Sequence, residues 1–435
     1  MKIIVLLFYI SFLLFQPVLS QKNLASGKEI GNPDRISVVK SKTTGDITPN
    51  DFKGSDIERI QAAINAAQKT THKIVIPQRN SNGTNVWKID SAILLPGNMT
   101  VILDNCIIQL SDSCRDNMFR SDNVGIGTTH VSWNKDISII GVGEAVLKGA
   151  DNPRSTGDGA RTLVLVPQVG RVSYGSDAGK EGRKQKGDWR NIMILMAYVD
   201  GFNLQNVTIE NSHAWAVSFE RTLNAYISDV RFNLPEEQIV NGNNIIVHNR
   251  DGIDLRQGCK YFRINNISGN TEDDFIALSN LGTVNPEHRI GDLNSTMITA
   301  AGWHGPQDDI EQITITNITC ESNTRAIAIR ATDSAGVHHV YINGVIAKTR
   351  FNNMLIGGKG YGKPSLPEMI NNIFAMNLIG DGSALILIES PIANCEFMNG
   401  TFTGSGTDVI HYGIDKSETR KVGETNLIKV DQVSF

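Results

Sequence analysis

Aromatic side chains are scarce in this 435-residue chain, at 6% of residues, while glycine reaches 40. Few bulky rings and many tight turns are a poor match to a helix bundle and suit a large β architecture. Charge of one sign is also missing: the formal net charge is −4, which argues against a nucleic-acid partner but leaves room for a local basic cleft facing an acidic polysaccharide. Cysteine is limited to Cys106, Cys114, Cys259, Cys320 and Cys395. An odd number cannot all pair within the chain, the spacing fits no zinc motif, and the three later ones fall in strand-like or turn segments, where they read as small buried thiols.

Long apolar runs are absent except at the start. Lys2, the run Ile3 to Phe15, and Val18-Leu19-Ser20 before Gln21 follow the plan of a cleavable signal peptide over 1–20. The expectation is a secreted or periplasmic protein, with no membrane insertion of the mature chain 21–435.

What is present is a repeat. The segment Asp56 to Ala67 places Ile57, Ile60, Ile64 and Ala67 on one helical face, with Ser55 or Asp56 as N-cap, and leads into the strand-like Lys73 to Pro77. A helix over about 50–80 would cover the open end of a solenoid. From Val101 onward, short β-branched runs end in Asn, Asp or Gly, as in Val101 to Asn105, Ile137 to Gly141, Val207 to Asn211 and Ile313 to Asn317. A second series interleaves with it, and its central residues Ile253, Phe275, Ile298, Ile327, Leu355 and Leu385 recur about every 22 to 30 positions, the length of one solenoid coil.

These features predict an all-β chain forming one right-handed parallel β-helix with an N-terminal capping helix. The segment 151–188 breaks the repeat and reads as a long excursion from one coil that overhangs a cleft. Seven Asn-x-Ser/Thr triplets, at Asn82, Asn98, Asn206, Asn266, Asn294, Asn317 and Asn399, read as turn asparagines followed by strands, able to stack coil on coil.

Two acidic stretches stand out on consecutive coils, Asn249-Arg250-Asp251-Gly252-Ile253-Asp254 and Glu272-Asp273-Asp274-Phe275-Ile276. Coils stack about 4.8 Å apart, so Asp251 should lie beside Asp273 and Asp274. Three carboxylates that close cannot all ionise cheaply, which supplies a proton donor and a base in one place, as glycoside hydrolysis requires.

At these residues the chain resembles the family 28 glycoside hydrolases, the polygalacturonases and their relatives. Asn-x-Asp-Gly-Ile-Asp and, one coil later, Asp-Asp-x-Ile-Ala are similar to that family's first two signatures. The likeness is clearest from Ser212 to Leu278 and weaker to about Ala331. It implies Asp273 as general acid, Asp251 with Asp274 as water-activating base, inversion at the anomeric carbon, and no cofactor. The family's Gly-His-Gly is missing at 294–297, leaving His304 as a substitute if its loop folds back, and of its Arg-x-Lys only the second basic position survives, as Arg330.

Further substrate contacts are expected from His213, Trp215, Asn249, Arg250, Arg325, Lys359 and Tyr361. The competing readings are a polysaccharide lyase, which would use calcium or a basic residue, and a non-catalytic carbohydrate-binding β-helix. The sequence leaves the sugar, the linkage and the oligomeric state open.

Overall fold

The chain enters its solenoid through the helix Asp56–Ala67, closed at its N-terminus by Ser55 and Glu58: the Ser55 N–H and hydroxyl donate to Glu58 Oε2 at 2.8 and 2.9 Å. Ile60, Ala63, Ile64 and Ala67 face inward without exposure, and Ile57 packs at the edge of the same core. This is the capping helix the sequence predicts, and it covers the first inward rungs, Ile74, Ile76, Trp87 and Ile93.

A computed structural model describes residues 45–114, 116–124, 132–152, 192–281, 305–332, 335–358 and 365–430, with the backbone of strands Arg161–Val166 and Arg171–Ser176. They belong to one unit, 42–435. The expected signal segment and His304, Lys359 and Tyr361 lie outside these residues.

The strands form a right-handed parallel β-helix with three stacks, all within one 22-stranded curled sheet. The first stack runs through Ile93–Leu95, Phe119–Ser121, Ile253–Leu255, Ile276–Asn280, Arg325–Ala331, Asn352–Ile356, Ala384–Ile388 and Ile410–Tyr412. The N-terminal ends of the long strands Ile194–Glu210 and Val217–Asn233 fill the rungs between Phe119 and Ile253. The second stack begins at Lys73–Ile76 and Met99–Asp104, the third at Val86–Ile89 and Ile107–Leu110.

Later strands pass through both the second and third stacks, turning at a single residue. In Ile310–Ser322 the buried residues are Ile310, Ile313, Ile315, Ile318, Cys320 and Ser322. The period of two slips at Gln312 (φ 59°) and Asn317 (φ 56°), each in the left-handed region that turns the chain without ending the ladder. The sequence reading finds two series where there are three stacks, because one asparagine is the whole corner between the second and third.

Asparagines at that corner form a ladder. Asn266 donates to Asp229 Oδ1 at 2.6 Å, Asn317 to Asn265 Oδ1 at 2.9 Å, and Asn426 to Asn399 Oδ1 at 3.2 Å. Inside, Phe202, Phe219 and Phe262 meet edge to face at centroid distances of 5.3 and 5.0 Å, and Phe232 meets Phe275 at 5.5 Å. The five cysteines are buried and unpaired.

Two expectations need correction. The sequence reading makes 297–300 a rung of the first stack, but Ile276–Asn280 pairs directly with Arg325–Ala331, Ile276 opposite Ile327. The segment 282–304 between them lies outside the described residues. Conversely, the excursion 151–188 is not wholly irregular: Arg161–Val166 and Arg171–Ser176 form an antiparallel hairpin, and Arg171 pairs with Ile246 of a second hairpin, Glu237–Val240 with Asn243–Ile246.

Candidate active site

The ladder itself brings the acids together. Ala216 N–H donates to Asp251 O at 2.8 Å, Gly252 N–H to Asp274 O at 3.0 Å, and Phe275 N–H to Arg325 O at 2.9 Å, so these segments sit on adjoining coils at the start of the first stack. Gly252 is required between them, since a Cβ there would lie 2.4 Å from Phe275 O. One carboxylate oxygen from each of Asp251, Asp273 and Asp274 lies within 4.8 Å of the others. Asp251 and Asp274 are buried, and Asp273 is half-buried at the solvent side.

Their surroundings divide them. Asp274 is the most tightly held: Arg330 Nη2 donates to Oδ2 at 2.5 Å, Arg325 Nη1 to Oδ1 at 3.2 Å, and Thr324 Oγ1 to Oδ1 at 3.0 Å. Burial pushes its pKa up, but the two guanidinium groups outweigh burial and hold it below the usual carboxylate range. Asp273 goes the other way. Burial first, then the charges of Asp274 and Glu272, raise it to about 6, against a hydrogen bond from Thr324. Asp251 is also raised, chiefly by burial and then by Asp254, Asp273 and Asp274, and among the described residues its Oδ1 has no hydrogen-bond partner. The cluster therefore holds an anion at Asp274 and raises the proton affinity of Asp251 and Asp273, the latter to about 6.

Asp254 is a fourth acid that sequence reasoning quotes but does not select. It follows Asp251 by three residues on the same strand edge, is buried, and has its pKa raised by burial, with Arg256 at 4.0 Å opposing. Its signal is the second Asp of Asn-x-Asp-Gly-Ile-Asp. Thr324 is the other residue missed; a threonine ahead of a strand carries no signal of its own until register places it against both Asp273 and Asp274.

The expected substrate contacts separate into two groups. Trp215 is half-buried, with the Arg256 guanidinium 4.8 Å over its ring, and Asn249 (φ 61°) is half-buried at the turn into Asp251. Arg325 remains 24% exposed at its side chain while it pairs with Asp274, and Arg330 is buried against Asp274 and Ser279. Both arginines belong to the coil directly after Asp273 and Asp274, so the position beside the acids is basic, although no Gly-His-Gly occupies it.

His213 and Arg250 are corrections. His213 is 1% exposed, its Nε2 lies 2.9 Å from Ala150 O, and burial drives its pKa down to about 3, so it packs as a neutral core residue and lines no cleft. Arg250 is fully buried, donating to Ser212 O at 2.7 Å, to Pro235 O at 2.5 Å and to Gln238 Oε1. Its guanidinium ties the side hairpin to the coil. Long side chains next to a catalytic-looking acid point either way, and here Arg250 turns to the carbonyls of Ser212 and Pro235 instead of to Asp251.

From Arg325 the outer face of the first stack continues as a groove of about 450 Å³, lined among others by Phe351, Asn352, Leu387, Asp408 and His411. It runs toward the C-terminal coils and begins at the acids' own partner.

The model of the glycosyl hydrolases family 28 matches residues 156–356, which include every acid of the cluster. A hyperthermoactive exopolygalacturonase from Thermotoga maritima superposes with a TM-score of 0.51 at 14% identity, covering 88% of this chain and 93% of that one. A mutant tailspike protein of the E. coli bacteriophage HK620 gives 0.53 at 11% identity over 90% of this chain and 63% of that one. A double mutant of that tailspike, solved in complex with pentasaccharide, gives 0.52 at 12% identity over 88% and 67%. This chain thus spans less than two thirds of the first of these tailspike structures, and at such identities the likeness is one of fold. No curated protein matches the sequence. The resemblance to family 28 thus stands on the matched segment, and the parallel β-helix on the solved neighbours.

Proposed function

We propose that the chain is an exported glycosidase that cleaves an acidic polysaccharide, uronic-acid-containing or sulfated, at the Asp251, Asp273 and Asp274 cluster, without a cofactor. The observation that carries this is the convergence of the three carboxylates within 4.8 Å at the head of an open groove, each held in a different electrostatic setting. The family match over the same residues supports glycosidase chemistry.

In this reading Asp273, half-buried and protonated up to about pH 6, gives its proton to the leaving oxygen. Asp274, kept ionised by Arg325 and Arg330, accepts a proton from the attacking water, and Asp251 orients that water. Asp274 already receives donors on both oxygens, which leaves lone pairs for a water but encumbers direct attack on carbon. That argues for inversion, although the acids are closer than the separation of about 6.5–9.5 Å usual for inverting pairs. Arg325, with its side chain 24% exposed, would meet the carboxylate or sulfate of the sugar, with Trp215 offering a ring face.

The test is turnover of purified protein on pectic, algal and other acidic glycans, reading reducing ends and the anomer first released by proton NMR. Reducing ends with inverted configuration are expected; no turnover on any acidic glycan would overturn the proposal. A second reading has one observation in its favour, since three converging carboxylates are also hard-cation ligands, as a calcium-dependent lyase uses. Ultraviolet absorbance from an unsaturated product, lost on chelation, would mark the lyase instead.

A further inference from the structure

A second convergence of ligating side chains lies on the outer face of the second stack, on different residues from the acid cluster. Strands Ile310–Ser322 and Val337–Thr349 pair with Glu311 opposite His338. The next residue, His339, has φ 56°, one of a column of left-handed positions with Tyr261, Gln312, Asn372, Asn394 and Lys421 that the register stacks coil on coil. Such a bulge turns two successive side chains to the same side. The fold repeats the bulge, but only the coil at 337–349 places histidine at both positions of this column.

The geometry points to a site for a borderline divalent transition cation, of the zinc, nickel or copper class, held by His338 Nδ1, His339 Nδ1 and Glu311 Oε2. The two Nδ1 atoms are 2.9 Å apart and Glu311 Oε2 is 3.6 Å from His338 Nδ1. All three side chains offer a ligand atom within 4.8 Å of the others. Two ligands each about 2.0–2.1 Å from one ion lie about 2.9–3.4 Å apart at ordinary coordination angles. Small rotations of the half-buried Glu311 and His338 and the exposed His339 close the remaining gap.

On His338 and Glu311 the outer hydrogen bonds suit the same role. His338 Nε2 lies 3.3 Å from Asp309 Oδ2, whose other oxygen accepts Gly336 N–H at 2.7 Å, so a proton on Nε2 is held by an anchored carboxylate and the Nδ1 lone pair is left for an ion. Lys260 Nζ takes Glu311 Oε1 at 2.5 Å, which leaves Oε2 as a single oxygen ligand. Two imidazoles with one carboxylate favour a borderline ion, whereas the acid cluster offers oxygen alone. Water completes the coordination, and the bound ion clips adjoining coils together.

The experiment is calorimetric titration of the full chain, stripped with chelator, with zinc chloride and nickel chloride, followed by thermal melts. One saturable equivalent and a raised melting temperature are expected for the wild type and for Asp273→Asn. His339→Ala and Glu311→Gln, both at the surface and checked by circular dichroism for native fold, should each weaken binding at least about tenfold and lose the melting shift. No saturable binding by the wild type, wild-type affinity in both surface variants, or loss of binding in Asp273→Asn would each overturn the site. Glycan turnover is a separate readout, so failure of the glycosidase proposal leaves this one standing.

Discussion

Arg330 and Asp274 lie on adjoining coils with Nη2 and Oδ2 2.5 Å apart, and this buried pair sets the charge pattern of the whole acid cluster. Without its guanidinium partners Asp274 would be one more desolvated acid beside Asp251 and Asp273, all competing to stay neutral. With them, one anion is fixed and its neighbours hold their protons to higher pH than an ordinary carboxyl does.

Replacing Arg330 by Met should therefore destabilise the fold strongly, by about 3–5 kcal/mol in urea denaturation, since it strands a buried carboxylate. Arg325, 3.2 Å from the same carboxylate, moves the loss toward the lower end. Combining R330M with Asp274→Asn should recover a good part of it, because the uncompensated charge is gone. Equal losses in the single and double variants would show that packing, not charge, is what Arg330 supplies.

Asp273→Asn should keep the native fold, with stability close to wild type at low pH, and cost about 10²–10⁴-fold in kcat on a substrate with a poor leaving group. The amide oxygen can still accept the Asp274 N–H and Thr324 hydroxyl, which donate at 3.0 Å each, so the local fold has no reason to shift. A substrate with an activated leaving group, which needs no proton, should recover much of the rate.

The pH profile follows from the same residue. A general acid must be protonated, and Asp273 sits at about 6, so kcat/KM should fall as pH rises through that value, while the depressed Asp274 keeps the base ionised well into acid. In stability the sign is also fixed. A carboxyl raised by burial favours the fold at low pH, and that contribution is lost as pH rises from the ordinary carboxylate value of 3.8 toward 6. Denaturant midpoints measured across this window should decline for the wild type and stay flatter for Asp273→Asn.

How much of this was legible in the sequence depends on how far each feature reaches along the chain. The helix from Asp56 was visible because its period, its cap at Ser55 and its Glu58 lie within a dozen residues. The juxtaposition of Asp251 with Asp273 and Asp274 was visible because one coil without insertions separates them. The identity of the next coil was not: the apolar run Met297 to Ala300 reads as a strand, which sets Arg325 and Arg330 two coils from Asp274, whereas Ile276–Asn280 pairs directly with Arg325–Ala331. Burial of Arg250 and His213 was hidden for another reason, since both sit close to an acidic or aromatic motif residue while the side hairpin at 237–246 absorbs Arg250 and the Ala150 carbonyl, 63 residues away, absorbs His213. The histidine pair at 338–339 was passed over because strict strand alternation sends neighbours to opposite faces, and only the left-handed φ of His339 brings them to one.

The asparagine corners offer a test of the solenoid itself. Asn317 holds φ 56° and donates Nδ2 to Asn265 Oδ1 at 2.9 Å, on the exposed edge between the second and third stacks. Asn317→Ala forfeits that bond, worth about 0.5–1.5 kcal/mol, and forces an alanine into the left-handed region at about 1–2 kcal/mol more. Asn317→Gly keeps the conformation, loses the bond, and adds glycine's larger folding entropy, about 0.5–1 kcal/mol. The expected order of thermal stability is therefore wild type, then glycine, then alanine, with the gap between the two variants measuring the backbone strain less glycine's extra folding entropy. Were alanine to melt at or above glycine, the corner would not depend on left-handed geometry, and the ladder bonds, not the turns, would have to account for why asparagine recurs at this edge of the helix.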